Sequence, residues 1–164
     1  SNLVIKKVSQ LCETSIENVI ISKDGCGLPV IATTLEELGR GFLNLFTNPK
    51  YEKIKRAFID YPYIIGGEGR SDSEIMNADE SHTLIAKVGA CGLLVVVNTE
   101  NEECIIVKVA DANQEARIIA AIHALKTIKR SNLLFDRLNK LFPKEIHTLD
   151  NELVGEKIPC FTID

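Results

Sequence analysis

A cysteine between two glycines is the first group in this sequence whose type and setting could carry chemistry. Cys26 lies in the run Asp24-Gly25-Cys26-Gly27, with Pro29 just after it. A thiol on a tight glycine turn beside a carboxylate allows close backbone approach, which suits either a nucleophile or a soft metal ligand. The turn by itself leaves both roles open.

A glycine-rich loop that ends in an arginine is the second candidate. Arg70 follows a Gly-Gly-Glu-Gly run at residues 66–69, and Asp72 comes two residues later. A guanidinium on such a loop suits bidentate binding of a carboxylate, and Glu68 or Asp72 could orient it. The competing interpretation is an exposed surface ion pair. The loop is not a dinucleotide fingerprint, because it lacks the third glycine and opens no long helix directly after a strand.

Lys87 is the third candidate, inside an apolar run and two residues before Gly89. Partial desolvation favours the neutral amine, which could then act as a general base. The alternative is a lysine that reaches solvent from a strand end. No serine in the chain is followed by lysine three positions later, so the Ser-x-x-Lys nucleophile pattern is absent. No histidine pair has metal-ligand spacing.

Length and composition bound the class of protein. The chain has 164 residues, of which 45% are hydrophobic and 26% charged, as expected of a single globular domain over 1–164. The net charge of −4 argues against nucleic acid or an anionic membrane as the main partner. No apolar run reaches the roughly 18 residues that a membrane-spanning helix needs. Ser1-Asn2 has the form of a remnant left by tag removal.

The five cysteines are odd in number and contain no C-x-x-C pair. This usage favours a reducing cytoplasm over a disulfide-stapled secreted domain. Apolar neighbours predict that Cys12, Cys104 and Cys160 fill the core as small hydrophobes.

Hydrophobic periodicity predicts the elements that must position these candidates. The predicted helices cover residues 3–13, 34–46, 49–60, 72–77, 113–128 and 132–142. The predicted strands cover a buried segment at 19–21, a meander at 83–88, 92–98 and 103–109, and a final segment at 160–163. A long loop covers 61–72. Thr34 and Glu37 form a capping-box signal, and Gly39 and Gly41 indicate close helix packing. The order indicates an α+β fold, an antiparallel sheet flanked by helices.

Three motifs, in this order, resemble the L-asparaginase II family. They are Asp24-Gly25-Cys26-Gly27-x-Pro29, Gly67-x-Gly69-Arg70-x-Asp72-x-x-x-Met76 and Lys87-Val88-Gly89-Ala90-x-Gly92. The later stretch Val107-Lys108-Val109-x-Asp111 fits as well. The family's fold is akin to that of serine β-lactamases and glutaminases, so the resemblance implies that this chain is the C-terminal half of a β-lactamase-like fold.

The resemblance implies hydrolysis of L-asparagine to L-aspartate and ammonia. It implies that Cys26 is a zinc ligand with Asp24 as a neighbouring carboxylate, and that Lys87 is the base for a catalytic serine. Arg70, with Asp72 and Gly89, is expected to bind the substrate, and Arg70 in particular its α-carboxylate.

The sequence departs from the family pattern in ways that leave two hypotheses open. The family's N-terminal half, with the Ser-x-x-Lys nucleophile and the remaining zinc ligands, has no counterpart here. Cys91 stands where the family usually has glutamate, and Glu115 where it has arginine. We therefore expect an incomplete zinc site and an isolated chain that is inactive without the N-terminal half, and we expect that chain to form a homodimer. The alternative is a divergent, non-catalytic binding or interaction module, and glutamine is a less favoured amide substrate.

Overall fold

The structure, a computed structural model, describes residues 2–163; the tag-remnant prediction for Ser1 lies outside them. The helices are α1 (Asn2–Cys12), α2 (Leu35–Thr47), α3 (Glu52–Asp60), α4 (Pro62–Ile65), α5 (Ser71–Ala78), α6 (Gln114–Ile128) and α7 (Asn132–Leu141). The strands are β1 (Ile20–Lys23), β2 (Pro29–Ala32), β3 (Leu84–Gly89), β4 (Leu93–Asn98), β5 (Glu103–Lys108), β6 (Glu145–His147) and β7 (Leu153–Glu156). Short 3₁₀ turns cover Ile16–Asn18 and Pro49–Tyr51. No described helix is long and apolar enough to cross a membrane.

The core is built on the predicted meander, an antiparallel sheet in the order β3-β4-β5. The central strand β4 is buried on both faces, as its continuous run of apolar residues requires. Helix α6 covers one face, where the Asn98 side chain donates to the Ile128 carbonyl at 2.9 Å. Helix α2 covers the other face, where Gly39 lies against Ile106. This arrangement confirms the α+β prediction.

The capping and packing signals around α2 are also confirmed. The Glu37 backbone N–H donates to Thr34 Oγ1 at 3.1 Å, and the Thr34 N–H donates to the Glu37 carboxylate at 2.9 Å. Gly41 lets α1 approach closely, because a Cβ there would lie 2.6 Å from Cys12 Sγ. Any larger residue at position 41 would therefore push α1 away.

A buried carboxylate fixes the turn between α5 and β3. Asp79 accepts hydrogen bonds from the Thr83 N–H at 2.8 Å, the Leu84 N–H at 2.9 Å and Ser81 Oγ at 2.6 Å. Burial raises the pKa of Asp79, but these bonds and the nearby Lys129 outweigh burial and hold that pKa below its usual value. The turn sets where β3 starts and so where Lys87 lies.

Three local predictions were wrong. Strand β1 is exposed rather than buried, because it pairs with β2 in a hairpin outside the main sheet. The segment 61–72 is not all loop, since α4 and the start of α5 lie in it. Residues 160–163 form no strand. They cross α6 instead, where the Phe161 ring meets His123 edge-on at 5.0 Å between centroids. The β6–β7 hairpin had no clear sequence signal.

The thiols divide into buried and exposed groups. Cys12 is buried and Cys104 is half-buried beside Gly39, in line with their prediction as core residues. Cys160 is exposed, which corrects its prediction as a core filler. The segment around Cys160 forms no strand, so it belongs to no sheet that would cover the thiol.

Candidate active site

A cavity of about 520 Å³ lies where the β3–β4 turn meets the beginnings of α5 and α6. Its volume suits a small organic molecule. Two predicted site residues, Arg70 and Gly89, line it, as do Cys91 and Glu115, the two departures from the family pattern. The remaining lining residues are Gly69, Ser71, Val88, Ala90, Gly92, Ala112, Gln114, Arg117, Ile118 and Phe142.

The motif after Lys87 forms the tight turn that makes one wall of the cavity. Cys91 and Gly92 both have positive φ, of 54° and 77°. A Cβ at Gly92 would lie 2.8 Å from the Val109 carbonyl oxygen, so the position requires glycine. The Lys108 ammonium donates to the Cys91 carbonyl and ties the turn to β5.

Asp72 and Lys87 form an ion pair beside the cavity. The Lys87 ammonium donates to Asp72 Oδ2 at 2.8 Å and to the Val88 carbonyl at 3.1 Å. The Val88 N–H donates to the same carboxylate oxygen at 3.0 Å, and the Ser73 N–H to the other at 3.2 Å. Burial raises the pKa of Asp72, but the three hydrogen bonds from Lys87, Val88 and Ser73 and the charge of Lys87 outweigh burial and keep its pKa below the usual value.

This pairing differs from the setting predicted for Lys87. Its side chain is 33% exposed, and its amine is paired with the Asp72 carboxylate rather than surrounded by apolar groups. Among the described residues, the hydrogen bonds of its amine go to Asp72 and Val88 and to no serine. The role of Lys87 as a base remains a prediction.

The glycine loop at residues 66–69 packs against the Asp72 carboxylate rather than placing it beside Arg70. A Cβ at Gly66 would lie 2.6 Å from Asp72 Oδ1, so the absence of a side chain allows the close approach. Gly67 and Gly69 have positive φ, and the Gly69 N–H donates to Glu74 at 3.0 Å. Arg70 is exposed and lines the cavity, while Asp72, the carboxylate expected to orient it, bonds Lys87.

Arg117 is a cavity residue that sequence reasoning missed. Its side chain is 6% exposed, and Nη2 donates to Ser71 Oγ at 3.2 Å. Burial lowers the pKa of Arg117, Asp72 raises it, and the nearby Arg70 lowers it further, with a net lowering. The signal was the stripe Ile118, Ala121, Ile122 and Leu125, whose i, i+3, i+4, i+7 spacing marks the buried face of α6. Arg117 lies at one end of that stripe.

Glu115 and Arg117 are the charged residues that α6 contributes to the cavity lining. Glu115 is exposed, and its carboxylate pairs with Lys157 at 3.3 Å. Arg117, two residues further along α6, puts a guanidinium into the same cavity.

Cys26 and Asp24 lie apart from the cavity, on the β1–β2 hairpin. Asp24 Oδ1 accepts from the Cys26 N–H and the Leu28 N–H, each at 2.9 Å, which shapes the hairpin turn. Neither residue lines the cavity. Within residues 2–163, no three His, Cys, Asp or Glu side chains are grouped so as to hold a metal ion. A tetrahedral zinc site built from these residues alone does not fit.

A serine–lysine contact occurs near the other end of β3, away from Lys87. Lys129 Nζ donates to Ser81 Oγ at 2.9 Å and pairs with Glu100 at 3.1 Å. Ser81 Oγ in turn donates to Asp79. Because Lys129 is the donor and the serine proton already has a carboxylate acceptor, this contact is suited to fixing the turn rather than to activating a nucleophile.

Comparisons with known proteins agree with the motifs. The sequence profile of the L-asparaginase II family matches residues 1–159, which include both the cavity and the Cys26 hairpin. A search of curated proteins gave no match. The match indicates a function of the asparaginase type, with an amide such as asparagine as substrate. The chain therefore belongs to the L-asparaginase II family.

Proposed function

We propose that this chain is the C-terminal portion of an amidohydrolase that converts L-asparagine to L-aspartate and ammonia. The observation that carries the proposal is the convergence of Arg70 and the Gly89 turn on one cavity, with the Asp72–Lys87 pair beside it. The serine nucleophile would come from a further segment, because this sequence has no Ser-x-x-Lys. A β-lactamase-like arrangement of the complete protein is part of the same proposal.

The proposed chemistry is acyl transfer. The serine oxygen bonds to the side-chain amide carbon of asparagine while the hydroxyl proton passes to Lys87. The carbon–nitrogen bond then breaks, and the leaving nitrogen takes that proton and departs as ammonia. Water hydrolyses the acyl ester, which releases L-aspartate and restores the serine.

In this scheme Asp72 is a positioning residue and Lys87 the residue that handles the proton. The Lys87 amine is hydrogen-bonded to Asp72, so a base role requires the serine segment or the substrate to compete with Asp72 for that amine. Arg70 and Gly89 contact the substrate.

In this proposal, zinc binds only when ligands from outside residues 2–163 complete its site. Cys26 is exposed on its hairpin and free to meet such ligands, with Asp24 close by. Equilibrium dialysis tests this directly. We expect no stoichiometric zinc on this chain alone, and zinc with the complete protein that is lost in Cys26→Ser.

Exposed apolar side chains support packing against a further chain segment or a second copy. Ile20, Ile21 and Leu28 on the β1–β2 hairpin and Leu3 and Val4 on α1 are all exposed. Such residues favour association. We propose a homodimer in a reducing cytoplasm, and light scattering after size exclusion measures its mass.

The alternative is a non-catalytic binding or interaction module. The observation that favours it is the resting state of Lys87, bound to Asp72 and to no serine among the described residues. A module of this kind would use the cavity for binding without turnover.

The test compares ammonia release from L-asparagine by this chain and by the protein encoded with its flanking DNA. We expect no turnover by the chain alone and turnover when a Ser-x-x-Lys segment is present. Lys87→Arg keeps a cation for Asp72 but removes a practical base, so it should abolish turnover if Lys87 is the base. Ser81→Ala is the matched control and should keep activity. Flanking DNA without the serine motif, or an inactive complete protein, would favour the module.

A further inference from the structure

Arg117 is a buried cation with donors that the fold does not use. The guanidinium carries five N–H donors. One of them reaches Ser71 Oγ, and the buried Nε has no hydrogen-bond partner among the described residues. An unpaired buried donor is costly, and a charged one more so. Because Arg117 also lines the cavity, a ligand there can accept from the donors of its guanidinium that reach that volume.

The charges around the cavity leave a positive surplus. Arg70 and Arg117 both line it. Asp72, the carboxylate whose charge acts on Arg117, is committed to Lys87 and two backbone N–H groups. Glu115 pairs with Lys157. Two guanidinium groups thus face one volume without a carboxylate of their own, which attracts an anion.

The geometry selects the class of anion. The cavity has about 520 Å³, room for a small organic molecule, and its walls include the apolar Val88, Ile118 and Phe142 as well as the two arginines. A planar carboxylate matches a guanidinium with two parallel hydrogen bonds. Ser71 Oγ, which accepts from Arg117, retains its own proton to donate.

We propose that Arg117, together with Arg70, binds the carboxylate of a small amino acid in this cavity. The choice of asparagine and aspartate as ligands rests on the proposed function; the carboxylate site does not, since it needs neither the nucleophile nor zinc. Arg117 contributes a buried, fixed guanidinium, and Arg70 closes the exposed side.

Calorimetric titration of this chain tests the site with three probes. L-Asparagine and L-aspartate carry the α-carboxylate, whereas β-alaninamide is asparagine without it. We expect both amino acids to bind and β-alaninamide to bind at least about tenfold more weakly, as loss of charge-assisted hydrogen bonds implies. Equal binding of β-alaninamide, or no binding of any probe at millimolar concentration, would overturn the proposal.

Variants assign the effect to Arg117. Arg117→Gln should weaken L-aspartate binding at least about tenfold, and Arg117→Lys should recover part of it, because the charge returns without the planar fork. Arg56→Gln is the matched control, since Arg56 lies on exposed α3 and pairs with Glu52. Unchanged binding by a folded Arg117→Gln variant would refute the assignment.

A second readout uses the wild-type chain and does not depend on variants that fold. Cys91 lines the cavity and is exposed, and Cys26 is exposed on the distant hairpin motif. Bound L-aspartate should slow alkylation of Cys91 and leave Cys26 unchanged, whereas equal rates with and without L-aspartate count against the site. Carboxylate binding without hydrolysis in the complete protein would separate failure of the proposed function from failure of this inference.

Discussion

The Asp72 carboxylate is fully buried, whereas the Lys87 side chain that pairs with it at 2.8 Å is one-third exposed. The two partners therefore depend on the pair unequally. Without Lys87, Asp72 would keep only the N–H groups of Val88 and Ser73 for a buried charge. Without Asp72, the Lys87 ammonium could turn to water. The pair joins the start of α5 to β3 at the edge of the cavity.

Removal of Lys87 should cost more stability than removal of the charge on Asp72. Lys87→Met leaves a buried, unpaired carboxylate, so we expect a loss of about 2–4 kcal/mol in the free energy of unfolding, reduced from a fully buried pair by the exposure of Lys87. Asp72→Asn/Lys87→Met should recover part of this loss. Urea denaturation measures both. A Lys87→Met variant as stable as wild type would show that the pair contributes nothing.

Stability should fall in acid in a way that Asp72 controls. The pKa of Asp72 in the folded protein lies below the value that the same carboxyl has in the unfolded chain. As pH falls, the Asp72 carboxyl takes up its proton in the unfolded chain before it does so in the folded protein. The contribution of Asp72 to the free energy of unfolding is therefore complete above the pKa of the unfolded chain, and it is lost as pH drops through the pKa of the folded protein. The pKa of Asp79 is also lowered in the folded protein, so Asp79 adds to the loss of stability in acid.

Urea denaturation at pH 7, 4 and 3 checks this dependence. We expect Asp72→Asn to have a shallower decline in unfolding free energy with acid than wild type has. The exposed residue Asp150 provides the control, and Asp150→Asn should follow the wild-type curve. A decline of the same steepness in Asp72→Asn would mean that the carboxyl titrates alike in both states.

Gly66→Ala should destabilise the protein and disturb the cavity. A Cβ at Gly66 would meet Ser73 Oγ and lie 2.6 Å from Asp72 Oδ1, both of them buried. We expect a loss of about 1–3 kcal/mol, as for other overpacked sites. Gly25→Ala is the control, because a Cβ there has nothing within 4 Å. Thermal unfolding that shifts equally for both would contradict the close approach at Gly66.

The five thiols should alkylate in two groups. Burial raises the pKa of Cys104 to about 12, and burial followed by Glu37 raises the pKa of Cys12. At pH 8 both thiols are protonated and shielded, so iodoacetamide should modify Cys26, Cys91 and Cys160 first. Peptide mass spectrometry follows each site. Modification of Cys104 as fast as Cys26 in the folded chain would be incompatible with this packing.

Short-range interactions are sufficient to predict much of the fold without any tertiary contact. The Thr34–Glu37 capping box, the three strands of the meander and the cap of α6 at Asn113 follow from short-range hydrogen bonds and from periodicity. The same level of information predicted Arg70 and Gly89 as site residues, because glycine turns next to charged residues are visible in a sequence, and the structure places both in the lining of one cavity. The family was visible too, since its motifs are short and contiguous.

Tertiary structure alone decided the partners of those residues. Lys87 and Asp72 are 15 positions apart, and Arg117 reaches Ser71 across 46. Periodicity places a residue on a face of its own helix or strand but does not say which other element packs there. Cys26 shows the converse, because its motif reads as part of the site while its hairpin lies apart from the cavity. A charged side chain becomes a binding group only when packing removes its other partners, and that depends on contacts distant in the chain.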